Sequence, residues 1–143
     1  MIIEVEGQEK LKTHDKINPL LSGDLIEFKE SYAKVSLTTN DDMMVDDTQL
    51  VHGGFIFSGA NYTAMCAINN KNVVLAGANT TFMAPAKLGD TVVFEARVER
   101  KDTRRRIVNV IAKIYNVKIF EGEFSVVILD KHILSIKLMQ DES

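Results

Sequence analysis

The sequence predicts an α+β domain in which an antiparallel sheet wraps around one long buried helix. Three observations lead there. Residues 52–70, HGGFIFSGANYTAMCAINN, are apolar or small on nearly every side of a helix, whereas a surface helix shows a single apolar stripe. The chain from 73 onward alternates apolar and polar residues in four successive runs, the period of a half-buried strand. A shorter alternating pair precedes the helix. One helix that must be covered and one sheet with a single apolar face satisfy each other's burial.

The elements follow in order. Residues 1–13 read as mixed, helical or frayed, and KINPLLSG (16–23) as a short helical turn closed by Gly23. In LIEFKESYAKVSLTT, Ile26 and Phe28, then Ala33, Val35 and Leu37, alternate about a break at Glu30-Ser31, which predicts a hairpin. NDDMMVDDTQ (40–49) is an acidic loop. Within the helix, Gly59 should cost about 1 kcal/mol against alanine, so a close packing contact is expected there. The helix should stop at Asn69-Asn70-Lys71. VVLAGANTTFMA (73–84) ends at Pro85, and PAKLGD (85–90) is a turn. TVVFEARVERK (91–101) directs Val92, Phe94, Ala96 and Val98 to one face. Val108, Val110, Ala112 and Ile114 do the same in 105–116, and Phe120, Phe124, Val126 and Ile128 in 119–129. Hairpin tips are expected at Asp102-Thr103 and near Val117-Lys118. The reading divides the chain into an N-terminal extension (1–19), a domain (20–130) and a C-terminal tail (131–143). An open sheet leaves an edge, so a homodimer is expected, with a dimer of dimers as a further step.

Composition narrows the function. The chain has 143 residues, 45% hydrophobic and 26% charged, with net charge −3, enough for one domain without disulfide or metal. The acidic balance argues against nucleic acid, and the N-terminus has no signal-peptide pattern. With no apolar run of the ~20 residues that cross a bilayer, a cytoplasmic protein without membrane insertion is expected. The three histidines, His14, His52 and His132, are widely separated, and no Cys/His spacing suggests a metal. Cys66 reads as a small core residue; His52 lies fourteen positions earlier, about 21 Å along a helix. RKDTRRR (100–106) reads as an exposed, solvated hairpin tip, or else as a phosphate contact in which Arg104, Arg105 or Arg106 joins Lys87 or Lys101.

LVHGGFIFSGANYTAMCAIN (50–69), ANTTFMAPAKLGD (78–90) and the strands after them resemble the hotdog-fold acyl-CoA thioesterases, in particular the small PaaI-like branch. The chain is also similar to the single-domain hotdog proteins produced alongside flagellar genes. The resemblance implies two subunits with their sheets side by side and acyl-CoA at the interface. It implies no resident cofactor beyond the coenzyme A thioester, as ligand or substrate. It places the backbone N–H groups after His52, at Gly53 and Gly54, against the thioester carbonyl. A helix N-terminus carries free N–H groups and roughly half a positive charge, which suits a developing oxyanion.

Two positions depart from the enzymes. The catalytic carboxylate nine residues after the histidine is here Asn61, which lacks the basicity to activate water, and some hotdog domains with asparagine there resemble acyl-CoA sensors. Six residues before the histidine, where relatives carry asparagine, stands Asp46. Asp46 and Asn61 are therefore the candidate catalytic pair, and Asp41, Asp42 and Asp47, if close, would raise the Asp46 pKa. Leu75 replaces a water-holding hydroxyl of some relatives. Asn79 and Thr81 share its strand phase and are candidates to line the pocket, with Thr80 on the other face. The expected activity is acyl-CoA binding without turnover, in a regulatory role. The alternatives are a thioesterase in which Asp46 activates water, and a dimeric interaction module without ligand.

Overall fold

The computed structural model describes residues 10–136. The expectation for residues 1–9 and for the end of the tail, 137–143, lies outside the described residues. The chain forms a short helix α1 (Pro19–Ser22), strands β1 (Asp24–Lys29) and β2 (Tyr32–Thr38), the long helix α2 (Gly53–Ile68), and strands β3 (Val73–Phe82), β4 (Thr91–Asp102), β5 (Arg105–Ile114) and β6 (Val117–Ile128). All six strands join one antiparallel sheet in the order β1-β2-β4-β5-β6-β3. The sheet wraps α2 as the sequence predicts. Residues 10–18, read as part of an extension, pack on the domain. Leu11 and Ile17 touch the core, and the Asn69 side chain bonds the backbone of both Lys10 and Lys12.

The core lies between α2 and the inner sheet face. Val92, Phe94 and Ala96, Val108, Val110 and Ala112, and Phe120, Phe124 and Val126 are fully or nearly fully buried. These are the phases that the alternation predicts. Gly59 has the expected packing reason: a Cβ there would stand 2.5 Å from Cζ of the Phe94 ring. Asn69 adopts the left-handed conformation at φ 54°, and its N–H donates to the Met65 carbonyl, ending α2.

Four details differ from the sequence reading. The residues described before α1 are not helical. In β1 a bulge between Leu25 and Glu27 turns Ile26 outward, 53% exposed, and Leu25 fills the core instead. The β5–β6 turn lies at Tyr115-Asn116, two residues before the expected Val117-Lys118. Both turn residues have positive φ, 48° and 68°, the geometry that suits the strand twist in a two-residue hairpin. The β4–β5 tip is Thr103-Arg104, one residue later than expected.

Candidate functional site

The site is built on the first turn of α2. Three backbone bonds hold that turn: His52 N–H donates to the Met43 carbonyl (2.8 Å), Val51 N–H to Ala86 (3.0 Å) and Phe55 N–H to His52 (3.0 Å). The opening N–H groups of a helix have no acceptor within it, so those of Gly53 and Gly54 face outward. His52 is exposed and caps nothing with its side chain. Its imidazole folds over Gly54, where an added Cβ would lie 2.8 Å from Nε2. The Phe82 ring sits over Gly53, 3.6 Å from the corresponding position. Phe82 and Met83 are 49% and 41% exposed, and Val45 and Leu50, from the loop leading into α2, are similarly open. A helix N-terminus is thus bordered by uncovered apolar side chains.

Asn61 lies one turn beyond Phe57 on α2, so the two share a helix face. Phe57 packs on Phe124, with ring centroids 5.5 Å apart, and Phe124 pairs with Ala78 of the edge strand β3. Asn61 therefore faces the β3 side of the domain. Its Oδ1 is shielded from water and has no hydrogen-bond partner among the described residues. A buried acceptor without a partner costs about 1–3 kcal/mol.

Strand β3 corrects the expected strand phase. A bulge between Leu75 and Gly77 inserts Ala76 and shifts the phase by one. Ala78, Thr80 and Phe82 then pair with Phe124, Gly122 and Phe120 and face the helix, whereas Asn79 and Thr81 pair with Glu123 and Glu121 on the outer face. Thr80 fills the space above Gly122, where a Cβ would lie 2.8 Å from its Cγ2. Thr80, and not Asn79 or Thr81, therefore shares the inner face with Leu75.

Asp46 also departs from expectation. It is exposed, and it accepts hydrogen bonds from both the hydroxyl and the N–H of Thr48, the latter at 2.8 Å. These bonds from Thr48 hold its pKa below the ordinary carboxylate value, opposite to the rise expected from neighbouring aspartates. The carboxylate closes a local turn.

The basic residues do not converge within one chain. Lys87 lies beside the α2 N-terminus, paired with Asp90 at 3.3 Å. Arg104, Arg105 and Arg106 lie at the far tip of β4 and β5. The eleven residue steps of β4, from Thr91 to Asp102, span ~36 Å at the usual strand rise. Arg104 is held by Asp130 at 2.7 Å and Arg105 donates to Ser125 at 2.9 Å. Cys66 is fully buried; burial pushes its thiol up to about 12, against the pull of a bond from Tyr62. Among the described residues, no three His, Cys, Asp or Glu side chains form a group that could hold a metal ion.

One helix enclosed by a six-stranded antiparallel sheet, its Gly-Gly N-terminus left open, defines a hotdog-fold protein, and the chain belongs to the hotdog thioesterase superfamily. The model of the Thioesterase superfamily matches residues 48–118. An uncharacterized protein of Pyrococcus horikoshii, PH1136, superposes with a TM-score of 0.86 at 38% identity, covering 94% of this chain and 98% of that one. Cj0977 of Campylobacter jejuni, a sigma28-regulated virulence protein, gives 0.84 at 40% identity, covering 86% and 95%. In sequence, the chain is 47% identical over 119 residues to a methylthioribose-1-phosphate isomerase of Aquifex aeolicus, covering 83% of this chain. The chain spans 26% of that protein, and 56% of the transcription factor FapR of Thermoanaerobacter, to which it is 30% identical.

Proposed function

We propose that the protein binds acyl-CoA thioesters without hydrolysing them, at a site that two copies of the chain complete. The observation that carries this reading is the unpartnered, water-shielded Oδ1 of Asn61 on the helix whose free N–H groups open at Gly53 and Gly54. The two N–H groups receive the thioester carbonyl. As placed, Asn61 accepts from an amide N–H of the pantetheine arm or from a held water; turned over, it offers its own N–H to the carbonyl. Superfamily membership supports the choice of thioester. A FapR relative supports a regulatory role, being itself a transcription factor.

The uncovered β3 edge and the exposed Phe82 and Met83 supply the surface for a second copy. Residues from the partner then close the Asn61 side of the site. Lack of turnover follows from the side chains: Asn61 has no basicity to lend, and Asp46 is engaged by Thr48 with its pKa lowered. The sequence candidates His52, Lys87, Arg104 and Arg105 become peripheral contacts in this reading, Lys87 nearest the helix N-terminus.

Calorimetry against acyl-CoA of increasing chain length, with free-thiol release followed on the same samples, is the test. Saturable binding with no thiol released is expected. Thiol release above the spontaneous rate, lost in Asp46→Asn, would establish the hydrolytic alternative. Absence of binding at every chain length would leave the interaction-module alternative.

A further inference from the structure

One cavity lies well away from the His-Gly-Gly turn. It lies past the other end of α2, a helix of sixteen residues and hence ~24 Å long. Its volume is about 680 Å³, within the usual range of small-ligand sites. Buried Phe28 and half-buried Ile68, Val98 and Ile128 give its wall an apolar strip, beside the polar Ser31, Asn69 and Asn70. Three cations, Lys29, Lys101 and Arg106, stand against one acid, Glu30.

The cations are placed at a cost. Lys101 and Arg106 are direct cross-strand partners in the β4–β5 ladder, and like charges opposite one another destabilise a sheet. A bulge between Val98 and Arg100 sets that register, and bulges re-aim side chains beside functional sites. Glu30 approaches Lys101 only to 3.9 Å and is 91% exposed, which leaves the pair poorly neutralised. Arg106 spends one nitrogen on the Thr103 and Arg105 carbonyls, a tether that fixes the head group. Meanwhile Val98 N–H donates to the Ser31 carbonyl at 3.0 Å and pins the β1–β2 turn against the cavity wall, both residues lining it.

From this arrangement we infer a second binding site, for an amphipathic anion with a linear apolar chain and a carboxylate or phosphate head. The chain lies along Phe28, Ile68, Val98 and Ile128, and the head neutralises Lys101 and Arg106. Arginine and lysine recognise either head group by charge-assisted hydrogen bonds, so the chemistry is shared between a fatty acid and an alkyl phosphate. This site stands apart from the thioester reading, because it uses the opposite end of α2.

The full chain, labelled on isoleucine methyl groups, is titrated with decanoate, decyl phosphate and decanol. Saturable shifts of the Ile68 and Ile128 methyl signals are expected with one or both anions, which identifies the head group. Decanol should bind at least tenfold more weakly. Arg106→Glu should weaken anion binding at least fivefold, and Asn61→Leu should leave it unchanged. Ile68 and Ile128 signals that do not move, equal affinity for decanol, or unchanged affinity in Arg106→Glu would each overturn the proposal. None of these results bears on acyl-CoA binding, which is measured separately.

Discussion

Replacing Asn61 with leucine separates a site residue from a structural one, because the two roles predict opposite changes in stability. Oδ1 is shielded from water without a partner, a condition worth about 1–3 kcal/mol against the fold. Leucine has similar bulk, removes the unpaired acceptor, and is the better helix former by a few tenths of a kcal/mol. Asn61 is only half-buried, so the lower part of the range applies, a gain of about 1–2 kcal/mol. For a domain of this size that corresponds to a rise in Tm of about 3–8 °C. Urea and thermal unfolding should be measured at one fixed protein concentration, since association changes apparent stability. Acyl-CoA affinity in the same variant should fall at least tenfold, a loss of about 1.4 kcal/mol. Destabilisation by 1 kcal/mol or more would mean that Oδ1 already has a partner in the unliganded protein, and the argument from an unsatisfied group would fail. Acyl-CoA affinity retained within twofold would remove Asn61 from the site.

Gly59→Ala should destabilise the fold by about 1–2 kcal/mol, since overpacking against the buried Phe94 ring exceeds the gain in helix propensity; a smaller loss in a Phe94→Leu background, read by a double-mutant cycle, checks the contact. Burial lowers the pKa of His14 from 6.5, with Asp15 opposing, so the folded state disfavours its protonation. Stability should be full well above pH 6.5 and fall as pH drops through that value toward the lower folded pKa, and His14→Gln should flatten this part of the urea-midpoint profile. Cys66, its thiol raised to about 12, should resist thiol reagents at pH 8 until the protein unfolds, with labelling then following the unfolding rate. Arg106→Glu, besides weakening the anion site, should add roughly 0.2–1 kcal/mol by placing opposite charges across β4 and β5, measurable by urea unfolding.

The elements were legible in the sequence because their signals are long. Helix α2 has sixteen residues with hardly a polar interruption, and β4, β5 and β6 carry ten or twelve residues each in long runs of alternation. What failed to show was where the alternation breaks. The bulges at Ile26 and Ala76 each add one residue, and one residue reverses the face of everything beyond it within the strand. Nothing at either position has the positive-φ glycine that marks one class of bulge. Ile26 is a good core residue by composition, and only the competing Leu25 could have hinted at the slip. The shift in β3 took the face assignment with it, putting Thr80 on the inner face and Asn79 and Thr81 on the outer one. Gly122 was the available signal, because a glycine inside a strand often marks a close neighbour, and here that neighbour is Thr80.

The site was half legible for a different reason. Gly53, Gly54 and Asn61 lie on one helix, so sequence spacing alone fixes their relation. Asp46 lies on a loop, where spacing fixes nothing. Its chemistry was decided by a residue two positions away, Thr48, whose hydroxyl and N–H both bond the carboxylate. An aspartate two residues before a threonine is a common turn-forming arrangement, so four clustered acids were a weaker clue to its pKa than one adjacent hydroxyl. This bears on the proposed absence of turnover. Both Thr48 bonds fall on Oδ1 and favour the ionised form, and that stabilisation reduces the carboxylate's appetite for the proton that a general base must take from water. Thr48→Val removes one of the two bonds without touching the carboxylate. It should raise the Asp46 pKa, measurable by NMR titration of the side chain, and still produce no thiol release from acyl-CoA. Thiol release appearing in Thr48→Val would show that the Thr48 turn, and not the exchange of acid for amide at Asn61, holds the protein inactive.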